Sequence, residues 1–383
     1  MQGLSFEQGP IRPPSEARSL LLRVTRGCSW NQCLFCSVYK DQKFERRSVD
    51  EVRADIDTVC EIIREVKSVS WQMGLSGSVN APVANRFLEK PHVDYSAKSV
   101  VVWLYYGTNA VFLQDANNLI LQTDDLVQML EYLNEKVSGI SRITTYSRSN
   151  TAARKSLDDL KRIRAAGLNR VHIGLESASD RVLKFMKKGV NAAAHIKAGR
   201  NIVEAGMELS EYYMPGLGGR ALWREHTLET ARVVNAIDPH FIRLRTLHVA
   251  KTLPLHRWLE AGTFELRSPD EVVEEIRLFI ESLEGIHSRV VSDHIGNMIQ
   301  DVEGKLPEDK DKMLDALDRY LRLGREERLH YQVGRIMGLY NGVPDMGHPA
   351  RQRQVEEAVG ELKTRFGGGL EQALVQLHDQ VMR

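Results

Sequence analysis

The chain has very little cysteine. Only four occur in 383 residues, and three of them crowd together as Cys28, Cys33 and Cys36. So few thiols, so unevenly placed, exclude a disulfide framework and point to a metal site in a reducing compartment. A cytoplasmic location is therefore expected. Apolar runs of membrane-spanning length are missing, and the polar, proline-bearing start from Met1 to Ser19 lacks a signal-peptide pattern. No membrane partner is expected. Neither sign of charge dominates: 52 Lys and Arg face 51 Asp and Glu, a net charge of +1. That leaves no global pull toward nucleic acid, which is not expected as a partner. Solenoid-period repeats and low-complexity tracts are absent too. What remains is an ordinary globular composition, 42% hydrophobic and 27% charged, able to bury a large core. The length suits two domains, or one α/β barrel that uses most of the chain.

What is present starts with Arg26-Gly27-Cys28-Ser29-Trp30-Asn31-Gln32-Cys33-Leu34-Phe35-Cys36. Three thiolates on one short loop bind a metal centre but leave it one ligand short, because a structural zinc or an ordinary [4Fe–4S] cluster takes four. The next histidine is His92. Cys60 lies on the apolar stripe Val52, Ile56, Val59, Ile63 and Val66 of a helix capped by Ser48 or Asp50, and reads as a small core residue. A three-cysteine site makes sense if its open position is the working part.

Strands and helices alternate through the first two thirds of the chain. Leu20 to Thr25 reads as a buried strand that feeds directly into the cysteine loop. Residues 74–98 read as a long loop or flap, and Val100 to Tyr105 as strand-like. Val111 to Gln114, Arg142 to Tyr146, Arg170 to Glu176, Glu208 to Met214 and His240 to Leu247 read as further strands. Helices are expected at Thr123 to Lys136, Asn150 to Ala166, from near Asp180, at Asn191 to Ala205 and at Ala221 to Ala236. Short links between them imply parallel βα units. Beyond Pro254 a helix at Pro269 to Leu283 precedes a last strand candidate, Ser288 to His294. Pro307 to Met337 and Ala350 to Met382 are helical in pattern, the latter broken by Gly367-Gly368-Gly369.

The cysteine loop resembles that of the radical S-adenosylmethionine (radical SAM) enzymes. Their usual signature is Cys-x3-Cys-x2-Cys with an aromatic before the last cysteine. Here the first gap is four residues, Ser29 to Gln32, and Phe35 holds the aromatic place. Four later segments support the resemblance. Gln114-Asp115-Ala116-Asn117-Asn118 stands where the family has a Gly-Gly-Glu-like turn that receives the methionine amine. Its glycines are missing, and Asp115 either accepts from that ammonium or is part of a plain turn. Tyr146-Ser147-Arg148 ends the third strand, where the family meets the methionine carboxylate or the ribose. Gly174-Leu175-Glu176-Ser177-Ala178-Ser179 resembles an element of methylthiotransferases and coproporphyrinogen dehydrogenases, with Glu176 suited to a ribose diol. Met214-Pro215-Gly216-Leu217-Gly218-Gly219 matches the glycine-rich turn after the fifth strand, where Gly216 permits close backbone approach.

The resemblance implies a partial (β/α)6 TIM-like barrel at residues 19–250, after an irregular arm at 1–18 and before a mostly helical extension at 251–383. It implies a [4Fe–4S] cluster on Cys28, Cys33 and Cys36. It also implies S-adenosylmethionine near Phe35, the backbone at Val38, Asp115, Ser147, Arg148, Glu176, Ser177 and Gly216. Tyr39, Tyr212, Arg245, His248 and His294 are candidates to orient or react with substrate. The implied activity is oxygen-sensitive: reductive cleavage of S-adenosylmethionine to a 5′-deoxyadenosyl radical, which abstracts hydrogen from a substrate. An external electron donor such as flavodoxin or ferredoxin is needed. No second cysteine set, basic appendage or cobalamin domain is visible. Single-cluster chemistry remains (rearrangement, elimination, cleavage or dehydrogenation), and the polar and aromatic candidates Tyr39, Tyr212, Arg245, His248 and His294 suit a small polar metabolite as substrate. A methyltransferase, a porphyrin- or RNA-modifying enzyme and an iron–sulfur electron-transfer protein are the alternatives. A zinc-binding nucleic-acid module lacks both a fourth ligand and a basic face.

Overall fold

The computed structural model describes Met1, residues 3–365 and Leu374. Its fold is α/β, with a mostly parallel sheet of eight strands and a separate two-stranded pair. The chain divides into two compact units. The first comprises residues 1–32, 38–174 and 197–209; the second comprises 33–37, 175–196 and 210–383.

The first unit is built on β1 (Leu20–Arg23), β4 (Ala110–Gln114), β5 (Arg142–Ser147) and most of β6 (Leu168–Glu176). The two short strands β2 (Thr25–Arg26) and β3 (Glu45–Arg46) lie between β1 and β4 in sequence. β1 runs parallel to β4, β4 to β5 and β5 to β6. Leu20, Leu21, Leu22 and every residue of β4 are buried, the continuous apolar pattern of a parallel sheet covered on both faces. Phe112, Tyr146 and His172 meet ring to ring, with centroids 5.2 and 5.6 Å apart along that series. Helices close the other face. Val49–Gln72 starts with a capping box between Ser48 and Glu51 and buries Val52, Ile56, Val59, Ile62 and Val66. Ile62 rather than Ile63 completes the buried stripe.

Three expectations fail in this unit. Residues 74–98 are not one long loop, because Asn80 caps a helix at Ala81–Leu88 and Asp94 caps another at Tyr95–Tyr106. The second includes the strand-like run Val100 to Tyr105. Its β-formers are overridden by the Asp94 cap, by Gly107 in the left-handed region (φ 58°) as C-cap, and by burial of Ala97, Val100, Val101 and Trp103. The helix expected over Asn150 to Ala166 is two, Ser149–Arg154 and Leu157–Ala165, because Ser156 starts a new cap on the Asp159 N–H.

The second unit continues the βα pattern. Most of β7 (Glu208–Tyr213) lies here; β7, β8 (Phe241–Leu244) and β9 (Arg289–Val291) are parallel, and β10 (Gly304–Lys305) returns antiparallel to β9. The last strand candidate is therefore real but only three residues long. Leu34 of the cysteine loop belongs to this unit's core, with Val182, Met186, Met214, Leu217, Val249, Leu255 and Phe264. Helices at Pro269–Glu281, Lys310–Arg322, Arg325–Ile336 and Pro349–Arg365 follow the helical pattern read from the sequence. Gly367 to Gly369 lie outside the described residues. Among those residues, no helix is long and apolar enough to cross a membrane.

Candidate functional site

In the first unit the polar chemistry centres on the turn after β4. Each polar side chain of Gln114-Asp115-Ala116-Asn117-Asn118 has a defined task. Gln114 exchanges hydrogen bonds with the Gly9 backbone at 2.9 Å each way, fastening the amino-terminal arm. Asp115 is fully buried with φ 81°. Its Oδ2 accepts from Arg23 Nε (2.9 Å), Arg23 Nη2 (2.8 Å) and the Gly27 N–H (2.8 Å), and its Oδ1 accepts from the Tyr39 hydroxyl (2.8 Å). Asn117 donates to Ser29 Oγ and Thr151 Oγ1, both at 2.9 Å. It accepts from the Arg148 N–H at 3.0 Å and the Ser147 hydroxyl at 3.3 Å. Asn118 accepts from Thr25 Oγ1 at 2.6 Å and donates to Thr145 Oγ1 and two β4 carbonyls.

Two expected ligand contacts are thus otherwise engaged. The Asp115 carboxylate, a candidate for an ammonium ligand, is sealed among protein donors. The Tyr39 hydroxyl, a candidate for substrate, donates to it, and burial beside that carboxylate pushes the phenol's pKa well up. Ser147 and Arg148 are brought together through Asn117, and the Arg148 guanidinium lies 4.9 Å from the Trp30 ring centroid.

The cysteine loop leaves the first unit after Gln32 and returns at Val38. Asn31 takes φ 52°, in the left-handed region that Asn tolerates. Its N–H points to Cys28 Sγ at 3.4 Å, its side-chain amide donates to the Tyr39 carbonyl, and Lys40 Nζ donates to its carbonyl at 2.8 Å. In the second unit, the Leu34 N–H donates to the Met186 carbonyl (3.1 Å) and its carbonyl accepts from the Leu255 N–H (2.9 Å). Phe35 lies 5.5 Å from Lys188 Nζ, a cation–π contact. Val38 is exposed. None of the four cysteines is in a disulfide, and all are half-buried. Cys60 Sγ lies 3.5 Å from the Lys136 carbonyl, and burial raises its thiol pKa.

The second unit carries the other candidates. Glu176 closes β6 with φ 64°. Lys188 Nζ stands 3.6 Å from its Oε1, while its Oε2 is buried without a hydrogen-bond partner. Ser177 is fully buried and bound to His226 Nδ1 at 2.8 Å, so its hydroxyl serves the fold. Gly216 has φ 88° and donates its N–H to Glu275 Oε1 at 2.9 Å. Tyr212 and His248 are half-buried and Arg245 is exposed. His294 Nδ1 accepts from the Gly296 N–H at 3.1 Å. Sequence reasoning passed over three groups. Asn117 was read only as part of a turn, and Lys188 carried no motif. Glu211, on β7, is fully buried with both carboxylate oxygens unpartnered. Burial drives its pKa well above the carboxylate range; Lys188 opposes that and Glu176 adds to it. A charged residue between the apolar positions of Glu208-Leu209-Ser210-Glu211-Tyr212-Tyr213 was the available signal.

The Radical SAM superfamily model matches residues 22–231, more than half of the chain. The chain belongs to the Radical SAM superfamily and is an enzyme, and the family's cofactors are a [4Fe–4S] cluster and S-adenosylmethionine. Three solved structures illustrate the likeness. Elp3 from the archaeon Methanocaldococcus infernus has 17% identity over 48% of this chain and 48% of its own, with a TM-score of 0.39. Coproporphyrinogen III oxidase from Escherichia coli, itself a radical SAM enzyme, has 14% identity over 65% of this chain and 48% of its own, TM-score 0.42. Methylornithine synthase has 15% identity over 81% and 85%, TM-score 0.42. The chain spans about half the length of the first two. No curated protein matched the sequence.

Among the described residues, no three His, Cys, Asp or Glu side chains form a ready-made metal-ion group. The fit to the family's cofactors rests on donor chemistry. Three half-buried thiols outside any disulfide lie within nine residues, and Glu176 keeps a buried carboxylate oxygen available to a hydroxyl donor.

Proposed function

We propose that this enzyme abstracts a hydrogen atom from a small polar metabolite, with Glu176 holding the ribose of S-adenosylmethionine. The observation that carries the reading is the orphaned Oε2 of Glu176. A buried carboxylate oxygen without a partner is costly. A ribose diol, donating two hydroxyl hydrogens, relieves that cost.

Cys28, Cys33 and Cys36 would hold the cluster as thiolates, and Phe35 and the backbone at Val38 would line the adenine. Once bound, the cluster and S-adenosylmethionine supply the family's one-electron chemistry, cleavage to a 5′-deoxyadenosyl radical. The chain's own residues bind, orient and exclude water. Lys188 Nζ stands 3.6 Å from Glu176 Oε1 and leaves Oε2 to the ribose. Arg148, beside Ser147, presents a fork suited to the methionine carboxylate. Gly216 supplies close backbone approach at its positive φ. Tyr212, Arg245, His248 and His294 orient the substrate. Flavodoxin or ferredoxin in the cytoplasm delivers the electron.

Two measurements test this. Glu176→Ala should weaken S-adenosylmethionine binding by about 1.5–3 kcal/mol, roughly 10- to 100-fold in Kd; unchanged affinity removes Glu176 from the ribose. Anaerobic incubation of the reduced enzyme with deuterated polar metabolites should carry label into 5′-deoxyadenosine. Label arriving only from a porphyrin or an RNA would overturn the substrate class.

A further inference from the structure

The loop from Gly27 to Tyr39 is anchored at its two roots by a single residue. Gly27 directly precedes Cys28, and Tyr39 lies three residues beyond Cys36. Both donate to the same buried carboxylate, Asp115, each at 2.8 Å and each to a different oxygen. We propose that Asp115 is a positioning residue for the cysteine loop, a clamp that fixes both roots of the segment carrying Cys28, Cys33 and Cys36. Its purpose rests on the cluster reading above; its geometry does not.

Three features set the clamp itself. Arg23 grips Asp115 through two nitrogens and reaches Glu7 with Nη1 at 2.9 Å, tying the carboxylate to β1 and to the amino-terminal arm. Gly9 seals the other side, where an added Cβ would lie 2.4 Å from Asp115 Oδ1. Gly27 holds φ 82°, a conformation that orients its N–H toward Oδ2 at the strain cost only glycine avoids. Two further devices act on the same loop. Antiparallel pairing of β2 with β3, Thr25 with Arg46 and Arg26 with Glu45, closes its base. Asn31 takes up the longer Cys28–Cys33 gap by its left-handed turn and binds the Tyr39 carbonyl across the excursion. The loop's ends are thereby fixed by buried, charge-assisted hydrogen bonds rather than by the cysteines alone. A held loop loses less conformational freedom on binding metal.

The test compares the full chain with Asp115→Ala, Asp115→Asn and Tyr39→Phe, and with Leu130→Ala as a control that weakens the same unit's core away from the loop. Asparagine can keep Oδ1 for Gly27 and Arg23 and donate its amide to the Tyr39 oxygen, so it should rescue in part. After anaerobic loading, loss of the visible cluster band to a ferrous chelator is followed, with the electron paramagnetic resonance spectrum of the reduced protein and amide hydrogen exchange at Gly27. Chelator loss should quicken about tenfold or more in Asp115→Ala, and by a few fold in Asp115→Asn and Tyr39→Phe. The spectrum should shift in the same order, and Gly27 exchange should rise. Leu130→Ala should lower Tm with a wild-type spectrum and wild-type chelator loss. Chelator loss and spectra in all three loop variants equal to wild type would overturn the clamp, as would a spectral change in Leu130→Ala as large as theirs. If the wild-type chain takes up no cluster, the cluster reading falls instead. Gly27 exchange then decides: protection lost in Asp115→Ala supports the clamp, and equal exchange overturns it.

Discussion

Glu275 and His226 form a buried pair whose titrations run in opposite senses, and separating them gives a quantitative test of the second unit. Glu275 Oε1 accepts from the Gly216 N–H (2.9 Å) and the Tyr213 hydroxyl (3.1 Å), with Arg267 Nε 3.3 Å from Oε2. His226 Nε2 lies 3.5 Å from Glu275 Oε1 and 3.1 Å from the Met214 carbonyl, and its Nδ1 meets the Ser177 hydroxyl. Burial raises the Glu275 pKa from 4.5 to about 7, against the pull of Gly216, Arg267 and Tyr213. Burial lowers the His226 pKa from 6.5 to about 4. A raised carboxyl means that the folded state holds its proton more tightly than the unfolded chain. Its stabilising contribution is complete below pH 4.5 and is lost as pH rises through 7. A depressed imidazole works the other way: its contribution is complete above pH 6.5 and is lost as pH falls through 4. Each spans about 2.5 pH units at 1.36 kcal/mol per unit, or about 3 kcal/mol. Between pH 4.5 and 6.5 the two slopes cancel in the wild type. Subtracting wild type from Glu275→Gln should therefore show unfolding free energy rising by about 3 kcal/mol from pH 4.5 to 7. His226→Gln should show it falling by about 3 kcal/mol from pH 4 to 6.5. Urea unfolding of the iron-free chain at half-unit pH steps measures both. Flat difference curves, or two of the same sign, would refute the pairing.

Two further outcomes are expected. Cys28→Ala, Cys33→Ala and Cys36→Ala should each lose the cluster on anaerobic reconstitution, whereas Cys60→Ala should keep its iron and visible spectrum; iron analysis decides. Glu16 is fully buried, and hydrogen bonds from Ser19 and Arg142, with His172 close by, overcome its desolvation to hold its pKa at about 2. The Glu16→Gln variant should lose about 3 kcal/mol relative to wild type above pH 4.5, a deficit that shrinks as pH falls toward 2, read from urea midpoints.

Much of the scaffold was legible because it is written in local pattern. The run Leu20-Leu21-Leu22 announces a doubly covered strand, and the helix at Thr123–Lys136 has the bounds its periodicity suggests. The failures came where local signals disagreed. Val100-Val101-Val102-Trp103-Leu104-Tyr105 has the composition of a strand, yet Asp94 and Gly107 bracket it as a helix and tertiary burial completes the choice. In the site, Glu176 was legible because it sits inside a motif. The tasks of Asp115 and Asn117 were not, since their partners lie 30 and more residues away in sequence: Arg23, Gly27, Tyr39, Ser29, Ser147 and Thr151. Pattern reading sees neighbours three or four positions apart and has no access to such pairings. Lys188 became visible only through its approach to Glu176 and Phe35.

The missing glycines of the turn after β4 now have a physical account. A glycine-rich turn gives a ligand access to backbone, whereas this turn offers four polar side chains and uses every one of them inside the first unit. Its two asparagines and its aspartate reach the segment that carries Cys28, through Thr25, Ser29 and Gly27. That use has a chemical consequence. With Asp115 holding two nitrogens of Arg23, the Gly27 N–H and the Tyr39 hydroxyl, an incoming ammonium or hydroxyl finds no exposed surface on it. Glu176 still has acceptor capacity unfilled, with Lys188 beside one oxygen and the other buried without a hydrogen-bond partner. Loop holding and ligand holding, which one acidic residue cannot do at once, would on the proposed reading fall to two different carboxylates. Replacing Asp115 should therefore disturb the cluster loop first, and replacing Glu176 should disturb S-adenosylmethionine affinity first.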